Sequence, residues 1–325
     1  MSTPVSQTHA SDYHERRVPK PTEVIHGIWA VPVPLHFSPL VSITIFVIET
    51  SAGPVLIDGA YRHRRCWESA QESLAGIGSP MHEMQAVLIT HNHPDHVGFA
   101  SRVRDASGAP VIMHWADDFA VQARERGGFL EQLRIALDLS GAPAQVVRDM
   151  YDSAIKVAVH DESLELDRQL IEARTDLIFG DVTITAIHTP GHTYGHTVFL
   201  DSRGVVLTGD TLMPEGPTQI AIVSQPKDDP ANDLLTSLDT IAGLGATTAC
   251  PAHQYPYTEV SERARSLRAF HQDEIEQVRR LLEHHDTAWE VAPHLTWSRP
   301  WAELGIGSRR FALMHTLALV RACGG

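Results

Sequence analysis

The chain has 325 residues, 43% hydrophobic and 20% charged, which excludes a disordered or fibrous protein and allows a sizeable core. Its formal net charge of −14 opposes nonspecific binding to nucleic acid or to an anionic membrane surface. Cys66, Cys250 and Cys323 stand far apart, so neither a thiolate zinc site nor a disulfide framework is indicated, whereas 20 histidines are an unusual number.

Residues 1–22 are polar, lack an apolar signal-peptide core and read as a loose tail. No aliphatic run is long enough to span a bilayer, so a cytoplasmic location is expected. Short β-branched runs bounded by Gly or Pro predict strands at Glu23–Val33, Val41–Glu49 and Pro54–Asp58. A helix is expected over Arg65–Ala75, an apolar strand over Ala86–Thr90, a helix over Val97–Ser107 and a short strand at Val111–Met113. This alternation argues for a layered α/β architecture.

Residues 115–175 read as a helical insert of two to three helices, with Leu130, Leu133 and Leu137 at helical spacing. Strands resume at Val182–Ile187, Thr197–Asp201 and Val205–Thr208, with another candidate at Ala246–Cys250. From Ser261 the pattern is helical again. Leu267, Phe270, Ile275, Val278 and Leu282 form a stripe, Thr287-Ala-Trp-Glu290 a capping box, and Arg309–Arg321 a last helix. The division expected is a tail (1–22), a main domain (23–260) and a C-terminal appendage (261–325).

The chemistry concentrates in Thr90-His91-Asn92-His93-Pro94-Asp95-His96, directly after an apolar strand. Three imidazoles and a carboxylate crowded together would be costly to desolvate without a cation. Three more strands each run into a donor: His192 in Thr189-Pro-Gly-His192, Asp210 after Gly209, and His253 in Pro251-Ala-His253. If those strand ends meet at one edge, His91, His93, Asp95, His96, His192, Asp210 and His253 converge. Seven ligands are too many for one tetrahedral ion and suit two ions sharing a carboxylate. Imidazole and carboxylate donors fit zinc first, with iron or manganese as alternatives.

These residues resemble the HxHxDH motif and the later ligand positions of the metallo-β-lactamase-fold superfamily, over about residues 23–256. The resemblance implies a four-layer αββα sandwich of the α/β (α+β) class. It implies one metal at His91, His93 and His192, a second at Asp95, His96 and His253, and Asp210 bridging them. Asp58, in Leu56-Ile57-Asp58-Gly59, resembles the family's early Asp without its usual following Thr. Asp58 and Thr90 would steady the imidazoles, and His196 beside the ligand loop is expected to make a structural hydrogen bond. The tail from Ser261 resembles the winged-helix-like appendage of one hydrolase branch.

The mechanism implied is attack by a metal-bound hydroxide on an electrophilic carbonyl, with Asp95 orienting it or moving its proton. Candidate substrates are small-molecule esters, thioesters or lactones; Met213 stands where quorum-lactone hydrolases carry Tyr, which lowers the lactonase reading. The alternatives are a mononuclear iron oxygenase or redox enzyme, and a zinc-dependent ribonuclease or phosphodiesterase. The acidic balance disfavours nucleic acid, although nine arginines lie from Arg263 to Arg321. The insert is expected to form a lid over the pocket, the alternatives being a remote bundle or a homodimer interface.

Overall fold

The structure, a computed structural model, describes residues 2–35, 40–157 and 164–324. Helix α1 (Gln7–His14) precedes β1 (Thr22–Ile25), β2 (Ile28–Pro34), β3 (Ser42–Ile48) and β4 (Val55–Ile57). Then come α2 (Arg64–Gly76), β5 (Ala86–Leu88), α3 (Pro94–Val97), α4 (Ala100–Ser107) and β6 (Val111–His114). The insert holds α5 (Phe119–Glu125), α6 (Phe129–Leu139) and α7 (Ala144–Val157). After it follow β7 (Arg168–Leu170), β8 (Arg174–Phe179), β9 (Val182–His188), β10 (Thr197–Asp201) and β11 (Val205–Gly209). The remainder is α8 (Pro230–Ala242), β12 (Thr248–Pro251), β13 (Tyr257–Thr258), α9 (Val260–Leu281), α10 (Ala288–Val291) and α11 (Ile306–Ala322).

Strands β1 to β7 form one sheet in sequence order, and β8 to β13 form the second. Each sheet is buried on both faces, which is why its strands read as continuous apolar runs. In β4, Val55 and Ile57 pack between the sheets while Leu56 faces the outer helices. In the second sheet, Leu207 points inward and Val206 outward onto α8 and α9. Helices α2 and α4 cover the first sheet through Cys66, Ala70, Leu74 and Val103. Leu234 and Leu238 of α8, Ala264 and Leu267 of α9, and Leu313 and Leu317 of α11 cover the second. The result is the expected αββα sandwich.

Strand direction positions the site. Strands β4, β5 and β6 are parallel, so the chain leaves all three at the same edge. Strands β9 and β11 both run antiparallel to β10, and β12 is parallel to β11. Their C-terminal ends therefore also share an edge, and the loops beyond both sets carry the donors.

Several expectations need correction. The N-terminal tail is not loose: Ser6 caps α1, Ala10 is buried in the core, and the Val5 N–H donates to the Pro256 carbonyl at 2.9 Å. Burial of a few residues against β13 supplies the order that the polar sequence hides. The insert's helices end by Val157, and β7 and the start of β8 lie inside the range taken as helical. Residues 158–163 of that range lie outside the described residues. The region from residue 261 is helical with no strand among its described residues, so no wing is present there. Its last helix, α11, packs on α6, α7, α8 and α9 as part of the core. The capping box at Thr287 and Glu290 forms, with both reciprocal hydrogen bonds at 3.2 Å.

Candidate metal centre

All seven sequence-predicted donors meet. One group consists of His91, His93, His192 and Asp210, with ligand atoms within 4.8 Å of one another. Asp95, His96 and His253 make a second such group. His93 Nδ1 lies 3.0 Å from His91 Nε2 and 3.1 Å from His192 Nε2. Asp210 stands between the groups: Oδ2 is 3.6 Å from both His192 Nε2 and His253 Nε2, and Oδ1 is 3.5 Å from His96 Nε2. Asp95 closes the second group, 3.4 Å from His253 Nε2.

The fit to cations is visible in what these atoms lack. His96 Nε2, His253 Nε2 and Asp210 Oδ1 are buried without a hydrogen-bond partner. Buried polar atoms are normally paired, so three orphans converging on one point mark places for positive ions.

Four of the imidazoles, those of His91, His96, His192 and His253, are aimed by a contact through the other nitrogen. His192 Nδ1 donates to the Gln219 carbonyl at 2.8 Å, and His253 Nδ1 to the Ser42 carbonyl at 3.1 Å. His96 Nδ1 donates to Asp58 Oδ2 at 2.8 Å. The Thr90 hydroxyl donates to Asp58 and lies 3.0 Å from His91 Nδ1, so one carboxylate steadies two ligands. Asp58 also accepts the Thr90 N–H at 2.8 Å from an uncommon left-handed backbone (φ 64°). His196 makes no approach of this kind. Its Nε2 accepts the Asp210 N–H at 3.2 Å, and Nδ1 meets Thr211 and Thr189 hydroxyls at 2.9 and 3.1 Å. Gly209 is required there: at φ +50° a Cβ would stand 2.6 Å from His196 Nε2.

Burial and neighbouring imidazoles hold His91 well below its ordinary pKa, and burial foremost takes His93 to about 3. Burial also opposes charge on His96, but Asp58 and Asp210 outweigh it and hold it well above the usual value. For Asp210 burial is outweighed by His253 and His96, which keep the carboxylate ionised. Asp95 is brought to about 2 in the same way, against burial, through His253 and His96.

One brace escaped the sequence reading. The buried carboxylate of Asp117 accepts the Gly195 N–H at 2.7 Å, the Thr193 hydroxyl at 2.6 Å and the Asn92 N–H at 3.3 Å. It ties the first ligand loop to the loop of His192, and burial pushes its pKa up to about 6. The signal available was its place just after β6, an acidic residue beyond a strand end like Asp58 and Asp210.

A cavity of about 790 Å³ opens on His93, Asp95 and His192. Its walls include Phe119, Phe129 and Leu133 of the insert and Ile220 and Met314 from elsewhere. Residues of the insert therefore form part of the pocket wall beside the donors.

Residues 39–253 match the family model described as the metallo-beta-lactamase superfamily. The chain is 24% identical over 282 residues to the probable metallo-hydrolase YqjP of Bacillus subtilis, spanning 82% of this chain and 84% of that protein. It is 28% identical over 178 residues to a hydroxyacylglutathione hydrolase of Albidiferax ferrireducens, spanning 53% of this chain and 50% of that protein. Among solved structures, the metallo-beta-lactamase family protein TTHA1429 of Thermus thermophilus superposes with a TM-score of 0.73 and 27% identity, covering 91% of this chain and 93% of that one. With its donors in place at the edge of the sandwich, the chain belongs to the metallo-beta-lactamase superfamily and is a metal-dependent hydrolase.

Proposed function

We propose that the chain is a dinuclear hydrolase, with zinc as its metal, that cleaves a small-molecule ester, thioester or lactone carrying an apolar acyl group. The observation that carries this reading is Asp210, set between two donor groups of which His93, Asp95 and His192 line a cavity with largely apolar walls. His91, His93 and His192 would hold one ion and Asp95, His96 and His253 the other. Divalent ions bound there would activate water and polarise a carbonyl oxygen.

The rest is the work of this chain's own residues. Asp95 lines the cavity as an ionised carboxylate and accepts a hydrogen bond from water, orienting it toward the substrate. Asp58, Thr90, Asp117 and the Gln219 carbonyl hold the imidazoles in place, so little reorganisation accompanies reaction. Phe119, Phe129, Leu133 and Met314 shelter the acyl group from water. Similarity to a hydroxyacylglutathione hydrolase supports thioester chemistry. The net charge of −14 supports a small molecule over nucleic acid.

The test pairs metal analysis with a screen of thioesters, aryl esters, lactones, phosphodiesters and single-stranded RNA. Close to two zinc ions per chain and turnover of carbonyl esters or thioesters are expected. One iron per chain with oxygen consumption, or efficient RNA cleavage, would overturn the reading.

A further inference from the structure

The helical wall of the cavity carries a charge that hydrolysis at the metal end does not use. Arg310 of α11 is only 5% exposed, yet it lines the same cavity as His93, Asp95 and His192. One turn later Met314 lines it too, while Leu313 and Leu317 fill the core behind. The guanidinium donates to the Met150 carbonyl at 3.3 Å and lies 5.2 Å from the Phe311 ring. No carboxylate pairs with Arg310 among the described residues, and among the described residues lining the cavity the sole acidic one is Asp95, a candidate metal donor.

Arg126, an enclosed arginine of the insert, is treated differently. Asp228 grips Arg126 with two hydrogen bonds of 2.7 and 3.0 Å. A guanidinium cannot shed its proton, so burying one unpaired is unfavourable unless a ligand supplies the missing charge. A planar carboxylate matches the guanidinium fork in shape and cancels its single charge. A phosphate dianion would leave one negative charge uncompensated in an apolar wall.

We propose that Arg310 binds a carboxylate on the acyl group of the substrate, remote from the scissile carbonyl. The substrate class is then an ester or thioester whose apolar acyl chain ends in a carboxylate. This rests on the hydrolase reading only for the scissile bond; the anion site stands on Arg310 itself.

Binding and turnover test the two separately. Octanoate, octan-1-ol and octyl phosphate are titrated into the metal-loaded full chain. Octanoate should bind about tenfold more tightly than the alcohol, as one charge-assisted hydrogen-bonded pair allows. Arg310→Met should remove most of that preference with metal content unchanged. Arg310→Lys should keep part of it and carries the comparison if the methionine variant does not fold. Equal octanoate affinity in wild type and variants would overturn the proposal, the carboxylate then sitting elsewhere. Tighter, Arg310-dependent binding of octyl phosphate would replace carboxylate with phosphate and overturn it too.

For turnover, the mono-4-nitrophenyl ester of decanedioic acid is compared with 4-nitrophenyl decanoate. The diacid ester should show the lower KM at similar kcat, and Arg310→Met should equalise them. If neither ester is cleaved while octanoate binding still depends on Arg310, the ester substrate of the proposed function fails and the anion site survives. Cleavage of both esters with no dependence on Arg310 would have the opposite meaning.

Discussion

Asp210 and Asp117 show how much two carboxylates can do in different surroundings. Asp210 faces three imidazole nitrogens, and among the described residues no backbone N–H competes for its inward oxygens. Replacing it with Ala should cost at least one of the bound metal ions, read by elemental analysis, and lower turnover by more than about 100-fold. Undiminished metal with full activity would show that the two donor groups do not share it. Asp117 touches no donor atom directly, but it collects three hydrogen-bond donors from the two ligand loops. Asp117→Ala leaves buried N–H and hydroxyl groups unpaired, at a cost of about 2–4 kcal/mol in unfolding free energy. Metal affinity should fall by about 10–100-fold as the loops loosen. Chelator competition and thermal melting measure both effects, and a variant as stable and as metal-tight as wild type would remove Asp117 from this role.

At the scale of elements, α1 contributes a pH-dependent contact. His9 is 2% exposed, and burial, which outweighs the nearby Asp12 charge and the Gln254 backbone, lowers its pKa to about 4. The unfolded chain binds a proton near pH 6.5, the folded chain only near 4. Stability is therefore full above pH 6.5 and lost as pH falls through that window. At pH 5 the loss from this residue is about 2 kcal/mol. His9→Leu should change the melting temperature more favourably at about pH 5 than at about pH 8. The same difference at both pH values would mean that His9 does not stay neutral in the folded protein. The insert is a second element with a distinct job. Its helices α5 and α6 turn aromatic and aliphatic residues toward the cavity, while Leu137 and Met150 anchor α6 and α7 to the core.

The whole molecule is held together late in the chain. Helix α11 buries a nearly unbroken run from Ala312 to Val320, so it contacts protein on most sides. It packs against α6, α7, α8 and α9 and also supplies Arg310 and Met314 to the cavity. Ending the chain before Ile306 would expose Leu313, Leu317 and Leu319 together with their partners. The loss is about 5–10 kcal/mol, comparable with the stability of a typical domain. The truncated chain is expected to be insoluble or to melt without a cooperative transition. A soluble, sharply melting and active product would show that α11 is dispensable.

The donors and the strands before them were legible because their signal is local. His91 to His96 sit within six residues, and an apolar run such as Ala86–Thr90 can be recognised without knowing its neighbours. The resemblance to the metallo-β-lactamase fold then supplied the order in which His192, Asp210 and His253 join them. Other features have no local signature. The edge strand β8 alternates only weakly, β13 is two residues long, and α1 is ordered by contacts with residues near 256. Gln219 looks unremarkable in sequence, and Asp117 offers only its place after a strand end, because what matters is the distance from each to a loop far along the chain. Arg310 belongs with them: its charge is plain in the sequence, but only packing reveals that it lines a cavity and has no carboxylate partner among the described residues. Local composition determined the elements and the chemistry of the donors. Tertiary structure decided which loops brace one another and where the unpaired charge lies, because those depend on contacts between residues far apart in the chain.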